Sequence, residues 1–166
     1  MKITAFFTRM LSWLTGSRLT VDNSVVRELD LDRFLGSWYE VARFDHFFER
    51  GMSQTKANYV LRDDGNIDVI NTGIKNGKPK TAKGKAKLTD IPSLLRVSFF
   101  GPFYSDYRVM LVDADYRYML IGSGSDGYLW ILSRTPQLDD SDRTAILSEA
   151  KSRGYDTDKL IWVKQD

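Results

Sequence analysis

Side chains able to do covalent chemistry are scarce in this chain. It has no cysteine and one histidine, His46, within the run Phe44-Asp45-His46-Phe47-Phe48. The lack of thiols excludes disulfides, thiolate metal sites and cysteine nucleophiles within these 166 residues. No serine or carboxylate pair stands at triad or metal spacing around His46, and a lone loop histidine is more often a surface or hydrogen-bonded residue than a catalyst. Gly122-Ser123-Gly124 lacks the rest of a dinucleotide fingerprint. The expectation is a chain that is not an enzyme and uses no cofactor or metal. What its residues offer is non-covalent. Aromatic residues make up 13% of the chain, a surplus that lines an apolar cavity as readily as it packs a core. Trp38 has more surface than a small domain can leave wet, and a buried indole attracts a cation over its face. Arg134, at the end of the apolar run Tyr128-Leu129-Trp130-Ile131-Leu132-Ser133-Arg134, could supply it. That pairing would close the first strand of a sheet against nearly the last.

The elements that must position these groups recur at short intervals. Strands are predicted near residues 37–45, 54–62, 66–73, 81–89, 94–100, 105–113, 117–123, 128–134 and 159–164. Asp63-Asp64-Gly65-Asn66, Lys75-Asn76-Gly77-Lys78 and Ser123-Gly124-Ser125-Asp126-Gly127 supply the hairpin turns. A series without intervening helices implies an antiparallel up-and-down sheet. Asp30 caps a short helical turn over Leu31 to Leu35, with Phe34 and Leu35 placed to plug the base, and Gly36 allows the sharp turn into the first strand. Late in the chain Asp139, Asp140 and Asp142 open a helix, Ile146, Leu147 and Ala150 form its apolar stripe, and Gly154 stops it. The narrow stripe puts this helix outside the sheet. Several strands are apolar on both parities, so one face can cover an interior while the other packs under the helix or a second copy. With 42% hydrophobic and 28% charged residues and a net charge of +2, the composition indicates neither disorder nor a nucleic-acid surface. The length is that of one domain.

Gly36-Ser37-Trp38, the turn Asp113-Ala114-Asp115-Tyr116 and Arg134 resemble the three signature regions of the lipocalin family. Phe48-Glu49-Arg50-Gly51, Leu61-Arg62-Asp63-Asp64-Gly65, Val97-Ser98-Phe99-Phe100-Gly101-Pro102-Phe103 and Trp130-Ile131-Leu132-Ser133-Arg134-Thr135-Pro136 are similar to its bacterial outer-membrane branch, relatives of apolipoprotein D. The resemblance runs from about residue 22 to the C-terminus. It implies an all-β fold, an eight-stranded antiparallel up-and-down lipocalin barrel with the C-terminal helix packed outside and an N-terminal amphipathic helix. Gly36, Trp38 and Arg134 become its structural signature. Counting by two from Trp38 points Ala42 and Phe44 inward, barring a bulge. The same alternation, helped by the resemblance, puts Tyr59, Val69, Asn71, Val97, Phe99, Tyr107, Val109, Leu120 and Trp130 inside as candidate ligand-binding residues. Inward rings in a barrel of about eight strands either line room for one small ligand or simply fill it. Lys80, Lys83, Lys85 and Lys87 read as a solvated strand face or as partners of anionic head groups near the mouth.

Ile3, Phe6, Phe7, Met10, Leu11 and Leu14 fall on one helical face, and no acid precedes Asp22. This stretch reads as a basic amphipathic helix lying in a membrane interface, as a cleaved signal peptide, or as a helix docked on its own barrel or a partner. The organisation expected is a leader over residues 1–21 and a lipocalin domain over 22–166. The function expected is to hold a fatty acid, lysophospholipid or similar small hydrophobic ligand for storage or transport at the cell envelope. Residues 2–14 would make peripheral membrane contact, and an outward apolar face would permit a homodimer. The alternative is a membrane-docking module in which the N-terminal helix works and the barrel is scaffold. The resemblance implies a membrane-associated protein, but the branch usually carries a lipidated cysteine, and without one a soluble cytoplasmic or periplasmic form is the other expectation.

Overall fold

The computed structural model describes residues 19–166. The amphipathic segment predicted over residues 2–14 lies outside them. A single turn of helix, α1 (Leu31–Phe34), is capped by the Asp30 carboxylate, which accepts the Arg33 N–H at 3.4 Å. Then follow β1 (Gly36–Phe44), β2 (Ser53–Leu61), β3 (Ile67–Lys75), β4 (Lys78–Lys87), β5 (Leu94–Phe100), β6 (Phe103–Val112), β7 (Tyr118–Gly122) and β8 (Leu129–Ser133). The helix α2 (Asp140–Ser152) and a short β9 (Leu160–Trp162) complete the described chain. Asn76 and Gly77 both take positive φ, 53° and 73°, the type I′ geometry that fits the twist of the strands it joins.

Each strand pairs antiparallel with its neighbour from β2 through β8, and β8 returns to β1. The closing pair is β1 with β2, from Gly36 opposite Tyr59 to Tyr39 opposite Lys56. The result is an eight-stranded closed barrel, with β9 added beside the end of β1. Closure leaves no long unpaired sheet edge around most of the wall. Two apolar clusters divide the buried side chains. One fills the interior around Phe34, Trp38, Tyr59, Ile67 and Leu95. The other lies between the sheet and α2 and includes Val41, Leu120, Ile131, Ile146 and Ala150. The doubly apolar strands thus serve both layers, and α2 packs outside as its stripe predicted.

The register shifts at four bulges, and at two of them three inward assignments fail. The β1–β8 register slips between Glu40, opposite Leu132, and Ala42, opposite Ile131. Val41 and Ala42 therefore both face outward, Phe44 follows them into the outer cluster, and Arg43 turns inward. The β6–β7 register slips between Val109, opposite Ile121, and Leu111, opposite Leu120. Directly paired residues share a face. Ile121 shares the inner face with Val109, and Leu120 packs outside with Ile146 and Ala150.

The closed end is fixed by the signature residues. The Arg134 guanidinium lies 3.6 Å from the centroid of the fully buried Trp38 ring and donates to the carbonyls of Ser37 (2.8 Å) and Leu35 (3.0 Å). Gly36 has φ +95°, and an added Cβ would stand 3.5 Å from Arg134 Nη1. That distance is ordinary contact, so glycine is required here by the backbone conformation. At the same end Tyr116 of the 113–116 turn accepts the Asp30 N–H at 2.7 Å.

Candidate functional site

Seven predicted positions come together around a hollow: Tyr59, Val69, Asn71, Val97, Phe99, Tyr107 and Trp130. Val109 faces inward but is fully buried below it, and Leu120 lies outside the wall. The hollow has two levels, with Glu40, Phe48, Glu49, Asn71 and Phe99 lining both. The lower level is about 70 Å³, less than half the roughly 150 Å³ that accepts a benzene ring. Beneath it the rings fill the barrel. Phe34 stacks on Tyr59 with centroids 4.7 Å apart and meets Tyr107 edge-on at 6.1 Å. The two phenol oxygens lie 2.8 Å apart. Burial pushes both phenols up, so they remain neutral and their link is a hydrogen bond.

The upper level is about 720 Å³ and opens at the mouth, within the roughly 300–1,000 Å³ usual for small-molecule sites. Its apolar walls come from Phe48, Met52, Phe99 and Phe100. Two glycines make the space for these groups. A Cβ on Gly84 would come within 2.7 Å of the Phe99 ring, and one on Gly73 within 2.6 Å of the Met52 methyl.

Between the levels lies a polar group that strand alternation did not foresee. The β1 bulge carries Glu40 and Arg43 to one face, and the β1–β2 loop brings His46 and Glu49 over them. Arg43 is 2% exposed. Its Nη1 donates to Glu40 Oε1 at 3.0 Å, and its Nη2 to the carbonyls of Glu49 (2.9 Å) and Met52 (3.1 Å). Glu49 Oε1 accepts the Trp130 indole N–H at 3.1 Å and lies 2.8 Å from His46 Nε2. Burial, with Glu49 alongside, pushes the Glu40 carboxyl well above its usual range. Burial would raise Glu49 too, but the His46 and Glu40 side chains hold it ionised, down at about 2. The arrangement is one buried guanidinium facing two carboxyl groups, Glu40 at 3.0 Å and Glu49 at 4.0 Å. His46 packs against Phe48, with ring centroids 3.8 Å apart, and against Trp130 at 5.6 Å. It thus braces the loop whose Phe48 lines the hollow. Among the described residues no group of three or more acidic or histidine side chains is placed to hold a metal.

A closed barrel with its base sealed by Trp38 and Arg134 and its mouth open is the geometry that the motifs predicted. The family described as "Lipocalin-like domain" matches residues 29–165. The chain belongs to the lipocalin family. This lipocalin is 49% identical over 146 residues to the outer membrane lipoprotein Blc of Citrobacter freundii, covering 86% of this chain and 82% of that protein. It is 31% identical over 152 residues to apolipoprotein D of Mus musculus, covering 85% and 79%. Lobster apocrustacyanin A1 superposes with a TM-score of 0.71 at 20% identity, covering 92% of this chain and 91% of that one. At that identity the likeness concerns the fold.

Proposed function

We propose that this lipocalin holds one small elongated lipid, a fatty acid or lysophospholipid, with its body in the upper hollow and the tip of its chain against Tyr59, Phe99, Tyr107 and Trp130. The observation that carries this reading is the two-level interior, packed solid at the base and open above to about 720 Å³ between aromatic walls. Each methylene moved out of water contributes roughly 0.8 kcal/mol before the cost of ordering the chain. Micromolar binding of a long acyl chain then needs no strong polar contact. Family membership and the likeness to Blc support binding of a small hydrophobic molecule rather than catalysis. The relatives named outer membrane lipoproteins support a place at the cell envelope. Tryptophan fluorescence followed during titration with a fatty acid and with a lysophospholipid tests the reading, because Trp130 borders the hollow. A saturable one-to-one change that disappears in Trp130→Phe is expected. No saturation with either lipid overturns it.

The helical spacing of Ile3, Phe6, Phe7, Met10, Leu11 and Leu14 favours a second reading, in which residues 2–14 dock the protein on a bilayer and the barrel is scaffold. Co-sedimentation with liposomes, with and without residues 1–20, separates the two. Loss of sedimentation with retention of lipid titration would assign docking and binding to different parts of the chain.

A further inference from the structure

We infer that the mouth carries an anion subsite, formed by Lys75, Lys78 and Lys80, which selects ligands with a carboxylate or phosphate head over uncharged ligands of the same chain length. The inference rests on the reading of the hollow as a lipid site. Strand register places the three lysines. The inward column of β3 runs Ile67, Val69, Asn71, Gly73, Lys75, and the pairs Val69–Gly84, Asn71–Ala82, Gly73–Lys80 and Lys75–Lys78 carry the same face onto β4. The tip of this hairpin therefore turns three ammonium groups toward the side that forms the barrel interior lower down, and all three border the upper hollow. Ladder pairing between β4 and β5 covers Lys85 to Lys87, so the tip stands clear of β5 and the hollow reaches it.

The charge there is uncompensated. Among the described residues every ion pair is made by an arginine or by His46, and no lysine has a carboxylate within 4.0 Å. The two acids that border the upper hollow, Glu40 and Glu49, lie beside Arg43. An amphiphile whose chain passes Phe48 and Phe99 would leave its head beside the three lysines. Lysines on a free strand edge also discourage edge-to-edge pairing. Glutamates would do that equally well, so charge reversal separates the two roles.

The test is calorimetric titration of the full chain with dodecanoate, dodecyl phosphate and dodecanol. It is run at about 0.01 M and about 1 M salt, between which the screening length falls from roughly 30 Å to roughly 3 Å. Three exposed pairs of ordinary strength make the anions bind on the order of tenfold tighter than the alcohol at low salt, and the advantage disappears at high salt. In Lys75→Glu/Lys78→Glu/Lys80→Glu the order reverses while dodecanol binding stays constant, and Lys85→Glu on the outward face changes nothing. Should the reversed hairpin melt early, Lys75→Gln/Lys78→Gln/Lys80→Gln must bring acid and alcohol to parity. A preference confined to one anion supports the subsite and names its head group. Equal binding of dodecanoate, dodecyl phosphate and dodecanol at low salt overturns the subsite and leaves the lipid reading standing. Failure of all three to bind overturns both.

Discussion

The two halves of the barrel interior are built on the same inward columns and end in opposite states. At the base Phe34, Trp38, Tyr59 and Tyr107 interlock, with Arg134 closed over the indole, and little space remains. At the mouth the inward columns of β3 and β4, which start lower down at Ile67, Val69 and Ala86, continue as Gly84, Ala82, Gly73 and the hairpin lysines, and about 720 Å³ is open. The pleat places a side chain inward at every second residue in both halves. Side-chain size on β3 and β4, rather than the shape of the sheet, sets the height at which packing gives way to a hollow. The buried Glu40–Arg43–Glu49 group lies at that boundary and joins β1 to the loop that carries Phe48.

The base should be the half on which stability depends. Trp38→Ala leaves a cavity under Arg134 and is expected to cost about 3–5 kcal/mol in denaturant unfolding. A loss below about 1 kcal/mol would mean that the mouth, not the base, anchors the fold. The boundary group comes next. Glu49→Gln keeps an oxygen for the Trp130 indole but removes the countercharge of Arg43, and about 2–3 kcal/mol is expected from the same measurement. Gly84→Val acts by crowding. A Cβ there meets both the Phe99 ring and the Ser98 carbonyl at 2.7 Å, so the ring must move into the hollow at a cost of about 1–3 kcal/mol. Lipid affinity should fall by more than stability does. The opposite order would place the ligand elsewhere than between these strands.

The base was legible in the sequence because its parts are marked. Gly36 before Trp38, and Arg134 closing a distant apolar strand, announce one contact from both ends, and straight strands such as β3 and β8 obeyed period two. The boundary was hidden by the bulges. Val41-Ala42 and Met110-Leu111 are adjacent apolar pairs, and nothing in their composition shows that two consecutive side chains take one face. Counting through them reversed Ala42, Phe44 and Leu120 and concealed Arg43. One signal was present. Glu40 and Arg43 stand three apart in a predicted strand, so they can pair on one face only if a residue is inserted between them. The size of the hollow was not legible, since it depends on how Phe99 and Met52 lie over glycines of neighbouring strands.

The smallest effect expected is also the most selective for the boundary. Burial and the neighbouring Glu49 raise the folded pKa of Glu40 above the ordinary glutamate value of 4.5. Its contribution is therefore complete at low pH and is lost as pH rises through that raised value. Glu49 has the opposite sign: lowered to about 2, it contributes above the ordinary range and loses that contribution as pH falls toward 2. Gln resembles the protonated acid. Glu40→Gln should then be nearly neutral in mildly acid solution, and its stability should hold where the parent declines, up to about pH 9, below the range in which tyrosines titrate. Its acid limb should be unchanged, because Glu49 still carries it. Thermal melting of both proteins across this range measures the difference. If the parent declines no faster than Glu40→Gln on the alkaline side, the second carboxyl at the bulge is ionised in the fold. Arg43 then balances two charges, and the boundary between packed base and open mouth is more polar than a single ion pair makes it.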